Sequence, residues 1–91
     1  MSLVSRTVLI TNRRGLHARA SAKFVTLASG LGLIVDVEKD GNKVVGTSIM
    51  GLMMLGAAMG DEVTISASGD GAEAAVTSLA ELIEAKFHEA E

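Results

Sequence analysis

Residues 61–68 read as the cleanest strand, alternating polar and apolar from Glu62 to Ser68 without a break. Val63, Ile65 and Ala67 fall on one side, and Glu62, Thr64, Ser66 and Ser68 on the other. Successive side chains of a strand point to opposite faces, so this pattern belongs to a sheet with one face buried and one face wet. A buried face needs a covering layer, and the rest of the chain must supply it. Two other runs repeat the pattern. Val4, Val8 and Ile10 alternate with Ser5, Thr7 and Leu9, with Arg6 as a blemish, and Leu33, Val35 and Val37 alternate with Ile34, Asp36 and Glu38. Asp40-Gly41-Asn42 is a strong hairpin signal, and Lys43-Val44-Val45 reads as its short return strand.

The covering layer is legible as helical periodicity. Residues 18–29 set a polar face of Arg19, Lys23 and Thr26 against a stripe of Ala18, Ser21, Ala22, Val25 and Ala28, with Gly30 and Gly32 ending the helix. Asp70-Gly71-Ala72-Glu73 resembles a capping box opening a second helix. That helix has Ala75, Val76, Leu79, Leu82 and Ile83 inward and Glu73, Thr77, Glu81 and Glu84 outward. The order is strand, helix, strand, strand, short helix, strand, helix. It predicts an α/β two-layer sandwich (α+β) in one domain over residues 1–91, without linker or repeat.

Composition narrows the chemistry. With 91 residues and 48 % hydrophobic residues, the chain suffices for one core and is too apolar to be disordered. Tryptophan, tyrosine and proline are absent, so that core is aliphatic apart from Phe24 and Phe87. Absence of cysteine removes disulfides, thiolate metal sites and cysteine nucleophiles, and suits a reducing cytoplasm. The net charge of −3, with basic residues clustered only at Arg13, Arg14 and Arg19, argues against nucleic-acid binding. The start of the chain lacks a signal-peptide pattern. His88 lies in a charged tail, residues 84–91, and reads as solvated.

Residues 44–60 carry no charge. The run is shorter than the ~20 apolar residues of a membrane span and is broken by glycines, so membrane insertion is not expected. Thr47 or Ser48 caps a short helix that Gly56 stops. This helix, Ile49-Met50-Gly51-Leu52-Met53-Met54-Leu55, has no polar face. Either it is buried all round, or one side is exposed as a partner surface for which flexible methionines are suited. A small domain can hardly bury every side of a third helix, which favours exposure.

The chemistry-bearing stretch is Asn12-Arg13-Arg14-Gly15-Leu16-His17-Ala18-Arg19. It places His17 between a strand and a helix, where unpaired N–H groups and the positive end of the helix dipole attract anions. Gly15 permits a tight turn, and Arg14 and Arg19 add cations able to bind phosphate bidentately. A neutral imidazole beside such a site is a candidate phosphoryl acceptor. An indifferent N-cap histidine beside solvated arginines is the reading that spacing alone favours. A hydrolase using His17 as general base is disfavoured, because no nucleophile lies beside it in a recognisable motif.

Gly15-Leu16-His17-Ala18-Arg19 resembles the active-site signature of the HPr family, the histidine-containing phosphocarriers of the bacterial phosphoenolpyruvate phosphotransferase system. Ser48-Ile49-Met50-Gly51-Leu52-Met53-Met54-Leu55 resembles that family's regulatory-serine segment. The resemblance spans the whole chain and implies a four-stranded antiparallel sheet, order 1-4-2-3, covered on one face by three helices. It implies a phosphocarrier, not an enzyme. His17 would take a phosphoryl group on Nδ1 from the first enzyme of the system and pass it to an A-component acceptor, in sugar uptake or regulation. Arg19 would stabilise the phosphoryl group. Ser48, a sufficient N-cap in its own right, would be the site of a serine kinase and phosphorylase in some lineages. Leu16, Ala20, Met50, Leu52 and Met53 would dock partners.

Ala20 stands where the family usually has proline, and Thr47 where a basic residue is common. The Asn12-Arg13-Arg14 lead-in resembles the nitrogen-regulatory branch more than the sugar-transport branch. A nitrogen-type carrier that signals by its phosphorylation state is therefore the alternative. No metal, organic cofactor or nucleic acid is expected, and the chain should be a cytoplasmic monomer.

Overall fold

Four segments pair edge to edge in the structure, a computed structural model that describes residues 3–89. They are β1 (Leu3–Leu9), β2 (Val35–Lys39), β3 (Asn42–Val45) and β4 (Glu62–Ser68). All pairs are antiparallel and the sheet order is β1-β4-β2-β3, as the resemblance implies. The register places Val8 opposite Val63, Val37 opposite Ile65 and Val35 opposite Ala67. These residues form the buried face, and the opposite face is wet, with Thr7 and Thr64 hydroxyls 2.9 Å apart across strands. β2 and β3 are joined by Asp40 and Gly41 alone, both at positive φ (51° and 82°). That is the backbone of a type I′ turn, which suits Asp-Gly and matches strand twist.

Arg6 lies opposite Ile65, on the side that should face the core. It escapes burial by extending to Glu84, with its Nη2 3.0 Å from the carboxylate, and both side chains stay exposed. Long cationic side chains commonly cover apolar surface this way.

The second layer consists of α1 (Ala18–Ser29), α2 (Ile49–Met54) and α3 (Ala72–Glu84). α1 has the expected bounds, but its buried stripe is rotated. Ala20, Ser21, Phe24 and Ala28 face the core, while Ala18 is exposed and Ala22 and Val25 are only partly covered. Phe24 is the largest apolar side chain of the helix and is fully buried, and it sets the phase, leaving Val25 and Leu27 only partly covered. The left-handed residue after α1 is Gly32, while Gly30 stays right-handed. α3 has no capping box. Its N-cap is Gly71, at φ 84° and without a side-chain cap, one residue later than Asp70 would place it.

The largest departure lies at the end of the chain. Lys86, Phe87 and His88 all have positive φ, 57°, 56° and 58°. L-residues resist this conformation by about 1–2 kcal/mol each. The turn persists because it drives Phe87 into the core at 0 % exposure. It is held there by Lys23, whose Nζ donates to the Phe87 carbonyl at 2.6 Å. The segment expected as a solvated tail is therefore folded through residue 89, although His88 itself is exposed as expected.

Candidate functional site

The turn between β1 and α1 is built around Gly15. Its φ is 62°, and its amide closes a turn onto the Asn12 carbonyl at 3.2 Å. The next amide, of Leu16, donates to Ala57 O at 2.9 Å, which ties the turn to the loop after α2. Ser21 Oγ donates to the Leu16 carbonyl at 3.2 Å, fixing the turn to α1.

His17 is the N-cap of α1. Its backbone is extended, its carbonyl accepts from Ser21 N at 2.9 Å, and its Nδ1 accepts from Arg19 N at 3.3 Å. An imidazole nitrogen that accepts an N–H carries a lone pair, so in the neutral ring the proton sits on Nε2. Nε2 in turn hydrogen-bonds to Glu89 Oε2. Both side chains are largely enclosed, 14 % and 12 % exposed. The other carboxylate oxygen, Oε1, accepts from Asn12 Nδ2 at 3.1 Å, and Asn12 also donates to Gly15 O at 2.9 Å. Two acceptors facing Nδ2 fix the orientation of this buried amide. Burial pushes the Glu89 carboxyl up. Hydrogen bonds from His17 and Asn12, the charge the His17 ring carries only when protonated, and the charge of Lys23 outweigh that and hold it below its usual range.

The arrangement thus presents a neutral imidazole with its Nδ1 lone pair directed at the first turn of α1. The amides of Ala18, Arg19 and Ala20 belong to that turn, where a helix has no internal acceptor for them. Arg19 is exposed on the same turn and Arg14 on the approach to it. A doubly charged oxyanion on Nδ1 would meet these N–H groups and the guanidinium together. Among the described residues, no group of three or more His, Asp or Glu is placed to hold a metal ion.

Ser48 is the N-cap of α2, its Oγ accepting from Gly51 N at 2.9 Å. α2 packs against α1 and exposes Met50 (68 %), Met53 (40 %) and Met54 (80 %). The charge-free helix therefore has one open side, as its size argues. The expectation that Leu16, Ala20 and Leu52 dock partners is corrected. They are 6 %, 0 % and 0 % exposed and belong to the core. A six-residue helix on a small sheet must bury one apolar side chain deeply, and Leu52 fills that role.

Sequence reasoning missed Glu89 as the partner of His17, and Asn12 and Lys23 as the groups that hold Glu89 and the Phe87 carbonyl. The available signal was Phe87. A phenylalanine in a charged tail has to be buried, and burying it draws residues 86–89 back onto the domain.

Comparison with known proteins follows the same lines. The sequence pattern of the PTS-HPr family, described as "PTS HPr component phosphorylation site", matches residues 4–85. The chain is 38 % identical over 90 residues to the phosphocarrier protein NPr of Shewanella violacea, covering 99 % of each. It is 42 % identical over 89 residues to the phosphocarrier protein HPr of Neisseria meningitidis serogroup A, covering 98 % of this chain and all (100 %) of that one. Its structure superposes on that of HPr-C-His from Thermoanaerobacter tengcongensis with a TM-score of 0.88 at 47 % identity, covering 100 % of both chains.

Proposed function

The chain belongs to the HPr family of phosphocarriers of the phosphotransferase system, and on that premise we propose that His17 is the residue that carries the phosphoryl group. The observation behind this is the ring's setting. His17 caps α1 with the Nδ1 lone pair toward the first-turn amides, and the proton is held away on Nε2. Nδ1 attacks phosphorus, giving up the 3.3 Å contact with Arg19 N, which is at the long end for a hydrogen bond and cheap to lose. The N–P bond forms as the bond from phosphorus to the donor's leaving atom breaks, and that electron pair stays with the donor. The phosphoryl oxygens then take up the first-turn N–H groups, and Arg19 adds its two-pronged guanidinium. Catalysis is positioning and charge stabilisation at a transient interface.

The donor is the first enzyme of the system, and it docks over the His17 turn and the exposed methionines of α2. Adjacency supports this surface, since the loop after α2 is bonded to Leu16. The acceptor is an A component, of a sugar permease or of a regulatory branch. The nitrogen-regulatory reading is supported by the Asn12-Arg13-Arg14 lead-in and by the likeness to the Shewanella protein named NPr. The chain works as a monomer in the cytoplasm. No described helix is long and apolar enough to cross a membrane. Ser48 is a site for a serine kinase where the host has one.

The test is labelling from phosphoenolpyruvate with the first enzyme present, followed by incubation with sugar-type and nitrogen-type A components. An acid-labile, base-stable label on His17 is expected. Failure of the wild-type chain to take label overturns the reading, and the A component that empties the label identifies the branch.

A further inference from the structure

The family pattern ends at residue 85, and the group that touches the far side of the His17 ring is Glu89, beyond it. That contact is held by several features at once. Three consecutive left-handed residues turn the chain, Phe87 is sunk into the core, and Lys23 Nζ holds the Phe87 carbonyl at 2.6 Å. Asn12, buried beneath the turn, aligns the carboxylate through Oε1 at 3.1 Å. A carboxylate with both oxygens engaged and little contact with water is a fixed group and not a passing neighbour.

Its position relative to the chemistry is specific. It meets Nε2, across the ring from the nucleophilic Nδ1. When Nδ1 forms its bond to phosphorus, it commits its lone pair and the ring becomes a phosphoimidazolium. The positive charge is shared with the nitrogen that retains its proton, Nε2–H. Charge-assisted hydrogen bonds of this kind are roughly twice as strong as neutral ones. The bond to Glu89 therefore strengthens in the direction of transfer, and only interactions that strengthen toward the transition state accelerate a step. We infer that Glu89 is a positioning residue for phosphoryl transfer, holding the His17 ring through Nε2–H and stabilising the cationic ring that forms as Nδ1 takes the phosphoryl group. No proton moves: Nε2 keeps its hydrogen and Glu89 stays ionised throughout. The inference rests on His17 being the phosphoryl carrier.

The experiment compares the full 91-residue wild type with E89Q, E89D and E89A. Each is examined by thermal melting, by the rate of labelling from phosphoenolpyruvate through the first enzyme, and by proton NMR of the imidazole N–H. Wild type should show a protected, far-downfield proton on His17 Nε2. It should move upfield in E89Q and be lost to solvent exchange in E89A. Labelling of E89Q should slow about tenfold, the low end of what losing a carboxylate partner costs a working histidine in metal sites. E89D, which keeps the charge, should recover part of the rate. A merely structural tether would change the melt and leave the Nε2 proton and the rate alone. E89Q labelling at the wild-type rate overturns the inference while leaving His17 as carrier. A wild type that takes no label overturns the carrier reading and this inference with it. The Nε2 proton then still shows whether Glu89 holds the ring.

Discussion

The carbonyl oxygen of Ala57 lies 2.3 Å from where a Cβ on Gly15 would stand, and the Ala58 Cα lies 2.8 Å from it. The His17 turn and the loop after α2 are thus in backbone contact, and only glycine permits it. Gly15→Ala adds a φ penalty of about 1–2 kcal/mol to the clash. It should lower stability by at least that amount and slow phosphoryl transfer, because His17 moves with the turn. Denaturant melts and labelling rates check both. An unchanged melt would mean that the two loops are not packed as described.

His17→Ala should take no acid-labile label. It should fold, but with a loss of about 1 kcal/mol, since the ring also caps α1. His17→Ser keeps an N-cap and should recover that stability without recovering label. Label on either variant would place the phosphoryl group elsewhere.

Arg19→Lys keeps the charge and loses the fork that matches phosphoryl oxygens. Transfer should slow clearly while the melt stays within about 0.5 kcal/mol, the usual range for an exposed position. Wild-type transfer rates in both Arg19→Lys and Arg19→Ala would make Arg19 a bystander.

Met50→Ala and Met53→Ala should weaken binding of the first enzyme with little effect on stability, because both side chains are exposed. Leu52→Ala should do the reverse, costing roughly 2–5 kcal/mol as a buried leucine does. Ser48→Asp keeps a good N-cap, so the melt should be unchanged or rise by about 0.3–1 kcal/mol, while donor affinity falls as an anion enters the apolar patch. Titration of the first enzyme into each variant decides. Unchanged affinity in Met50→Ala, Met53→Ala and Ser48→Asp together rejects α2 as the docking surface.

The depressed Glu89 carboxyl makes a pH prediction. A carboxylate held below its unfolded value adds stability that is complete above the unfolded range, about pH 4–5, and is lost as pH falls through the folded value. The stability difference between wild type and E89Q should therefore be constant near neutrality and shrink below that range. A difference that grows on acidification would mean that the carboxyl is not held ionised.

Much of this molecule is legible in its residues, and the legible parts are the local ones. The β4 alternation, the Asp40-Gly41 turn, the bounds of α1 and the Ser48 cap each depend on neighbours a few residues away, whose geometry strands, turns and caps repeat everywhere. The position of His17 at a helix start was readable for the same reason. Three matters were settled only by packing. The phase of α1 followed Phe24, because burying the largest apolar side chain of the helix outweighs covering Val25 and Leu27 fully. Leu16, Ala20 and Leu52 went inward, because which apolar residues of a small domain reach the surface depends on what else covers the sheet. The partner of His17 was decided last. Glu89 is 72 residues away in sequence, and no periodicity links the two. They meet because Phe87 has to be buried, and the left-handed turn that buries it delivers the next carboxylate to the ring.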